Sequence, residues 1–100
     1  MKAQIMEALT SSKNERKAFD AIYSLTIGIG KGYKIIKDSD FQTFDLKHRN
    51  RRNEAVLRLI DKGLIFRHED DCYWRGGDGR IFGYSVIKSG CVRFLEGVNV

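Results

Sequence analysis

Asn50–Ile65, NRRNEAVLRLIDKGLI, is the stretch on which the fold turns. Val56, Leu57, Ile60 and Leu64 recur at i, i+1, i+4 and i+8, the spacing of one apolar stripe on a 3.6-residue helix. At about 100° per residue, Arg51, Ala55, Arg58 and Lys62 project opposite that stripe, Arg52 stands at its flank, and Asn53 lies nearer the core face. Asn50 is a good N-cap type, and Gly63 can take the left-handed conformation that ends a helix. The spacing therefore predicts a basic amphipathic helix over about 50–62.

The residues leading into it add charge. Lys47, Arg49, Arg51 and Arg52 place four cations within six positions, with His48 beside them and Glu54 the only nearby acid. A charge run alone usually marks a solvated helix face, so the surrounding sequence has to decide its meaning.

One hundred residues suit a single domain, 1–100, with its own core. The net charge of +5 is uneven, because 47–58 holds five of the eighteen basic residues and one of the thirteen acids, and such clustering favours a polyanionic partner. No apolar run approaches the ~20 residues of a membrane span, and Glu7 interrupts the short N-terminal apolar run that a signal peptide would need. The two cysteines, Cys72 and Cys91, form no CxxC and have no histidine at zinc-finger spacing. The expectation is a soluble cytoplasmic protein with two inert thiols, a disulfide or redox pair between them being the alternative.

Upstream, Ile5, Met6 and Leu9 share a face of a short opening helix that serves either the core or a partner subunit. Ser12 followed by Glu15 forms a capping-box pattern, and Ala18, Phe19, Ile22, Tyr23 and Leu25 predict a helix over about 13–25. Gly28, Gly30 and Gly32 interrupt it, Tyr33–Ile36 is β-prone, and Asp38 or Ser39 caps a short helix carrying Phe41 and Phe44. Downstream the period changes. Ile65–Trp74 and Arg80–Ile87 are rich in β-formers around Gly76-Gly77-Asp78-Gly79, strong hairpin chemistry. Phe82, Tyr84 and Val86 alternate with Ile81, Gly83 and Ser85, and Ser89–Leu95 predicts a last short helical turn.

In this order the chain resembles the winged helix-turn-helix domains of bacterial-type transcription regulators, MarR- and PadR-like in outline. The resemblance spans about 12–95 and rests on two phrases: Leu57-x-x-Ile60-x-x-Gly63-Leu64-Ile65, similar to a recognition helix entering its first wing strand, and Tyr84-x-Val86-x-x-x-Gly90, similar to the end of the second. It implies an α+β winged-helix fold: a three-helix core, a β-hairpin wing over about 65–87, and extra short helices at both ends. It also implies a recognition helix in the major groove with its N-terminal residues at base edges. Carried onto this chain, that selects Arg49, Asn50, Arg51, Arg52 and Asn53, with Arg58 further along. Arg51 and Arg52 are the preferred base readers, since arginine suits guanine. Lys47 and Arg58 are placed on phosphate, Asn53 as a cap or local hydrogen-bonder, and the wing arginines Arg75 and Arg80 at the minor groove or its phosphates. Lys31 and Lys34 are weaker backbone candidates. The acids Glu69, Asp70 and Asp71 would face away from DNA or limit its approach.

Other chemistry finds little support. Gly28-Ile29-Gly30-Lys31-Gly32 lacks the glycine and the Ser/Thr of a phosphate loop, His48 and His68 have no partners at metal spacing, and adjacent Asp70 and Asp71 point to opposite faces of a strand. Tyr73, Trp74 and Phe82 read as the spine of a hairpin before they read as a stacking platform. No enzyme, metal or cofactor is expected. The expected function is sequence-specific binding of double-stranded DNA by a transcription regulator, as a homodimer on paired half-sites. The alternatives are a winged-helix module docking on a transcription, replication or partition complex, and a DNA-binding accessory protein without sequence choice.

Overall fold

Helix α2 (Lys13–Leu25) is the element on which most of the others pack, and its bounds are those the sequence predicts. The computed structural model describes residues 1–9, 12–74 and 80–98, with the backbone alone at 69–74 and 80. Ser12 lies in extended backbone and its hydroxyl accepts the Glu15 N–H at 3.3 Å, satisfying one donor that a helix start leaves unpaired. Ala18, Phe19, Ala21 and Ile22 are fully buried on one side. The helix gives way to a 3-10 turn (Ile27–Ile29) that ends at Gly30.

Around it run α1 (Lys2–Ala8), β1 (Lys34–Ile36), α3 (Asp38–Gln42), α4 (Arg49–Asp61), β2 (Ile65–Trp74), β3 (Arg80–Val86) and α5 (Lys88–Val98). The molecule is thus α+β, with five helices and one small antiparallel sheet in the order β1-β3-β2. The central β3 pairs Tyr84 with both Lys34 and Arg67. The ladder to β2 is interrupted between His68 and Tyr73. Ile36, Tyr84 and Ile65 enter the core, and Tyr84 stands edge-on to Phe41 of α3 at 5.8 Å between ring centroids. The expected turn at Gly76–Gly79 and Arg75 lie outside the described residues, as do the side chains of Tyr73, Trp74, Cys72, Arg80 and the acids 69–71.

Two turns set the position of α4. After α3, Asp45 adopts a left-handed conformation (φ 63°), with Leu46 N–H donating to the Phe41 carbonyl and Asp45 N–H to that of Gln42. This is a Schellman closure, and its hydrophobic contact is between the buried Phe41 and Leu46. After α4 the same pattern recurs: Gly63 is left-handed (φ 74°), and Leu64 N–H donates to the Leu59 carbonyl. Gly63 is the helix stop the sequence predicts.

Helix α5 docks on that second turn through Gly90, where an added Cβ would lie 1.8 Å from the Gly63 carbonyl oxygen. Only glycine permits so close an approach. The Cys91 thiol, fully buried, donates to the Leu64 carbonyl at 3.8 Å. The last helix is therefore longer than the short turn expected from sequence. It packs beside α1, whose Ile5 and Leu9 are buried in the same core, so the opening helix serves the domain's own interior.

The phase of α4 departs from the sequence expectation. Its buried residues are Arg52, Ala55, Val56 and Leu59, spaced i, i+3, i+4 and i+7, while Leu57 is 52% exposed. Ala55, expected outside, lies in the contact with α2, where a small side chain lets the two backbones come close. The helix also begins earlier, at Arg49 with His48 as N-cap, so Asn50 is a first-turn residue and caps nothing.

Candidate nucleic-acid interface

The shifted phase reassigns the arginines. Asp38, the first residue of α3, holds two of them: its Oδ1 lies 2.7 Å from Arg52 Nη2 and its Oδ2 lies 3.1 Å from Arg49 Nη2. The Arg52 side chain is 8% exposed and its guanidinium sits 5.2 Å from the centroid of the Phe41 ring. A carboxylate and an aromatic face together make a polar socket for a cation inside the domain. Arg52, expected to read bases, instead ties α4 to α3. Arg49 shares that tie from a more exposed position.

The outward surface of α4 consists of Arg49, Asn50, Arg51, Asn53, Glu54, Leu57, Arg58 and Asp61, so it carries two carboxylates among its cations. Asn53 faces solvent, contrary to the expectation that placed it toward the core. Arg51 is exposed and takes part in none of the ion pairs among the described residues. Arg58 pairs with Glu54 at 2.9 Å, an exposed i,i+4 bridge that offers little resistance to exchanging partners. Lys62, expected on this basic surface, folds the other way and pairs with Glu15 of α2, whose carboxylate is 2% exposed. Glu15 thus completes an ion pair across the core where the sequence pattern suggested only a helix cap.

Charge accumulates around the N-terminus of α4. Lys47 and His48 are exposed in the turn, and a shallow depression of about 220 Å³ runs from Lys47 and Arg51 to Asn14 and Lys17 of α2. Lys17 donates to Asp45 Oδ2 at 2.7 Å. That hydrogen bond, with the charges of Lys17 and Lys47, holds the Asp45 carboxyl below its ordinary value. On the other side, a larger open cleft of about 530 Å³ lies between α3, the start of α4 and β3, bordered by Lys37, Lys47, Arg49 and Arg52 around the single carboxylate of Asp38. Both hollows are open, and each sets several cations around one aspartate, Asp45 in the first and Asp38 in the second.

Lys17 and Lys37 carry no local sequence signal that marks them for this surface. They lie outside the basic run and reach the surface beside α4 only through tertiary packing. Lys31 is exposed after the 3-10 turn and Lys34 is half-buried on β1. On β2, the Arg67 guanidinium lies 4.5 Å from the Phe82 centroid, so Phe82 is covered and belongs to the sheet's packing. The His68 ring meets Tyr33 and Phe66 edge-on at 4.7 Å each, and its Nε2 is 3.0 Å from Ser85 Oγ.

Among the described residues no group of three or more His, Cys, Asp or Glu side chains is arranged to hold a metal ion, and no helix is long and apolar enough to cross a membrane. Burial pushes the Cys91 thiol above its ordinary value. No family model matches the chain, and neither the curated proteins nor the solved structures contain a match to it.

Proposed function

We propose that this chain is a winged-helix domain that binds double-stranded DNA and regulates transcription, with α4 in the major groove and the β2–β3 hairpin as the wing. The element order α2-β1-α3-α4-β2-β3 and the sheet order β1-β3-β2 support the fold assignment. The observation that carries the function is the asymmetry of α4. One face is buried against α2, the other presents hydrogen-bonding side chains, and the cations of the preceding turn and of α2 surround its N-terminus.

In this reading Lys47 and Arg51 neutralise backbone phosphates, and Lys17 does so by leaving the exposed Asp45, while Asn50, Asn53 and Leu57 meet base edges. Arg58 joins the phosphate contacts by leaving Glu54. Two copies on paired half-sites would account for recognition of a palindromic operator.

The test is a duplex titration at several salt concentrations. Phosphate neutralisation predicts a linear fall of log K with log salt, with a slope of about −0.9 for each phosphate contacted. Binding that ignores salt contradicts the proposal. A protein-docking role is the second reading, favoured by the half-exposed Phe66, which stands edge-on to His68 on the sheet. Partner binding without duplex affinity would select it.

A further inference from the structure

The cleft between α3, the start of α4 and β3 holds more positive charge than its carboxylate answers. Lys37, Lys47, Arg49 and Arg52 border it against Asp38, four cations to one carboxylate and so a local surplus of three. Lys37 and Lys47 are exposed and take part in none of the ion pairs among the described residues. Asp40, on the same helix as Asp38, turns back to accept the Lys37 backbone N–H at 3.0 Å and does not border the cleft.

The two arginines differ in how firmly Asp38 holds them. Arg52 is buried beside the Phe41 ring and meets Oδ1 at 2.7 Å, so losing its carboxylate would strand a cation inside the domain. Arg49 meets Oδ2 at 3.1 Å with 46% of its side chain exposed, and bridges that exposed exchange partners readily. Asp38 therefore stays neutralised by Arg52 when Arg49 turns away. Arg49 can then act with Lys37, at the start of α3, and Lys47, in the turn before α4. A phosphate group, with up to two charges and three acceptor oxygens, suits cations that arrive from separate elements. The hollow of about 530 Å³ leaves room for the molecule that carries it.

We propose that this cleft is a phosphate site: an incoming phosphate takes Arg49 from Asp38 and is held by Lys37 and Lys47, while Arg52 stays on Asp38. The chemistry is the same for the backbone of a duplex and for a free phosphate ester, so the site does not depend on the DNA-binding reading.

Arginine side-chain NMR of the full chain, titrated in parallel with inorganic phosphate and with duplex DNA, tests it. At least one of the two should shift the Arg49 Nε–H resonance saturably and leave that of Arg52 in place, beyond any change made by chloride at the same ionic strength. A response to duplex, with the slope of log K against log salt reduced by about 0.9 in Lys37→Gln, assigns the phosphate to a DNA backbone. A response to inorganic phosphate alone, weakened about threefold in Lys37→Gln, assigns it to a free ester; threefold is the scale of one exposed charge contact. The inference is overturned if neither ligand moves Arg49 apart from Arg52, if chloride reproduces the shift, or if Lys37→Gln leaves both titrations unchanged. Salt-sensitive duplex binding with a still Arg49 overturns the site and leaves DNA binding standing. Phosphate binding without duplex affinity does the reverse. Because Lys37 is exposed, its variant should keep the wild-type melting temperature, which circular dichroism checks.

Discussion

The Asp38 carboxylate and the Arg52 guanidinium, 2.7 Å apart, lock the first turn of α3 to the buried side of α4. This contact makes the arginine that looks most like a base reader in the sequence part of the joint between the two helices.

Asp38→Ala would leave the Arg52 cation unpaired inside the domain, and the cost should be about 2 kcal/mol, below that of a fully buried pair because Asp38 retains some exposure. Arg52→Met, which keeps the stem and removes the charge, should cost less. Chemical denaturation measures both. Arg51→Ala should leave stability unchanged and weaken duplex binding, so the two neighbouring arginines separate by which measurement each one moves.

Gly90→Ala should be among the most damaging single substitutions in the chain. The new methyl would collide with the Gly63 carbonyl, a backbone atom in a fixed turn, so α5 must move away, at a cost of about 3 kcal/mol. Gly63→Ala acts differently, straining a left-handed backbone by about 1 kcal/mol. Thermal unfolding should rank the first above the second.

The Asp45 carboxyl should titrate below a free aspartate in the folded protein, because its charged form accepts from Lys17 and lies near Lys47. A lowered folded value means that its contribution to stability is fully present above the unfolded value and is lost as pH falls through the folded one. Carboxyl NMR titration should show the midpoint rise toward the ordinary range in Lys17→Ala. An unchanged midpoint would refute the Lys17 assignment.

Cys91 should resist alkylation in the native protein, since burial disfavours its thiolate. A raised folded value also means that the stability it confers holds below the unfolded thiol value and declines as pH climbs from there toward the folded value. Mass spectrometry of iodoacetamide-treated protein should find Cys91 modified at a rate that tracks unfolding.

Much of this architecture is legible in local sequence. Ser12 and Glu15 mark the start of α2, Gly63 marks the end of α4, and the alternation of Phe82, Tyr84 and Val86 marks β3, because each signal is satisfied within a few residues of chain. The phase of α4 is not legible in the same way. Burial of Arg52 depends on Asp38 and Phe41, which lie eleven and more positions away, and without them a hydrophobicity count prefers Leu57 to an arginine as the inward residue. The same holds for Glu15 and Lys62, separated by forty-seven positions and joined only once α2 and α4 pack. The basic run was visible, but which of its members remain available to a ligand depended on acids elsewhere in the chain.

Amide NMR of the full chain during titration with duplex DNA tests the central claim most directly. The account predicts that the largest shifts fall on Lys47–Arg58 and near Lys17, while the α1–α5 contact stays unmoved. Shifts confined to Tyr33, Phe66 and His68 on the sheet, or none at all, would contradict it.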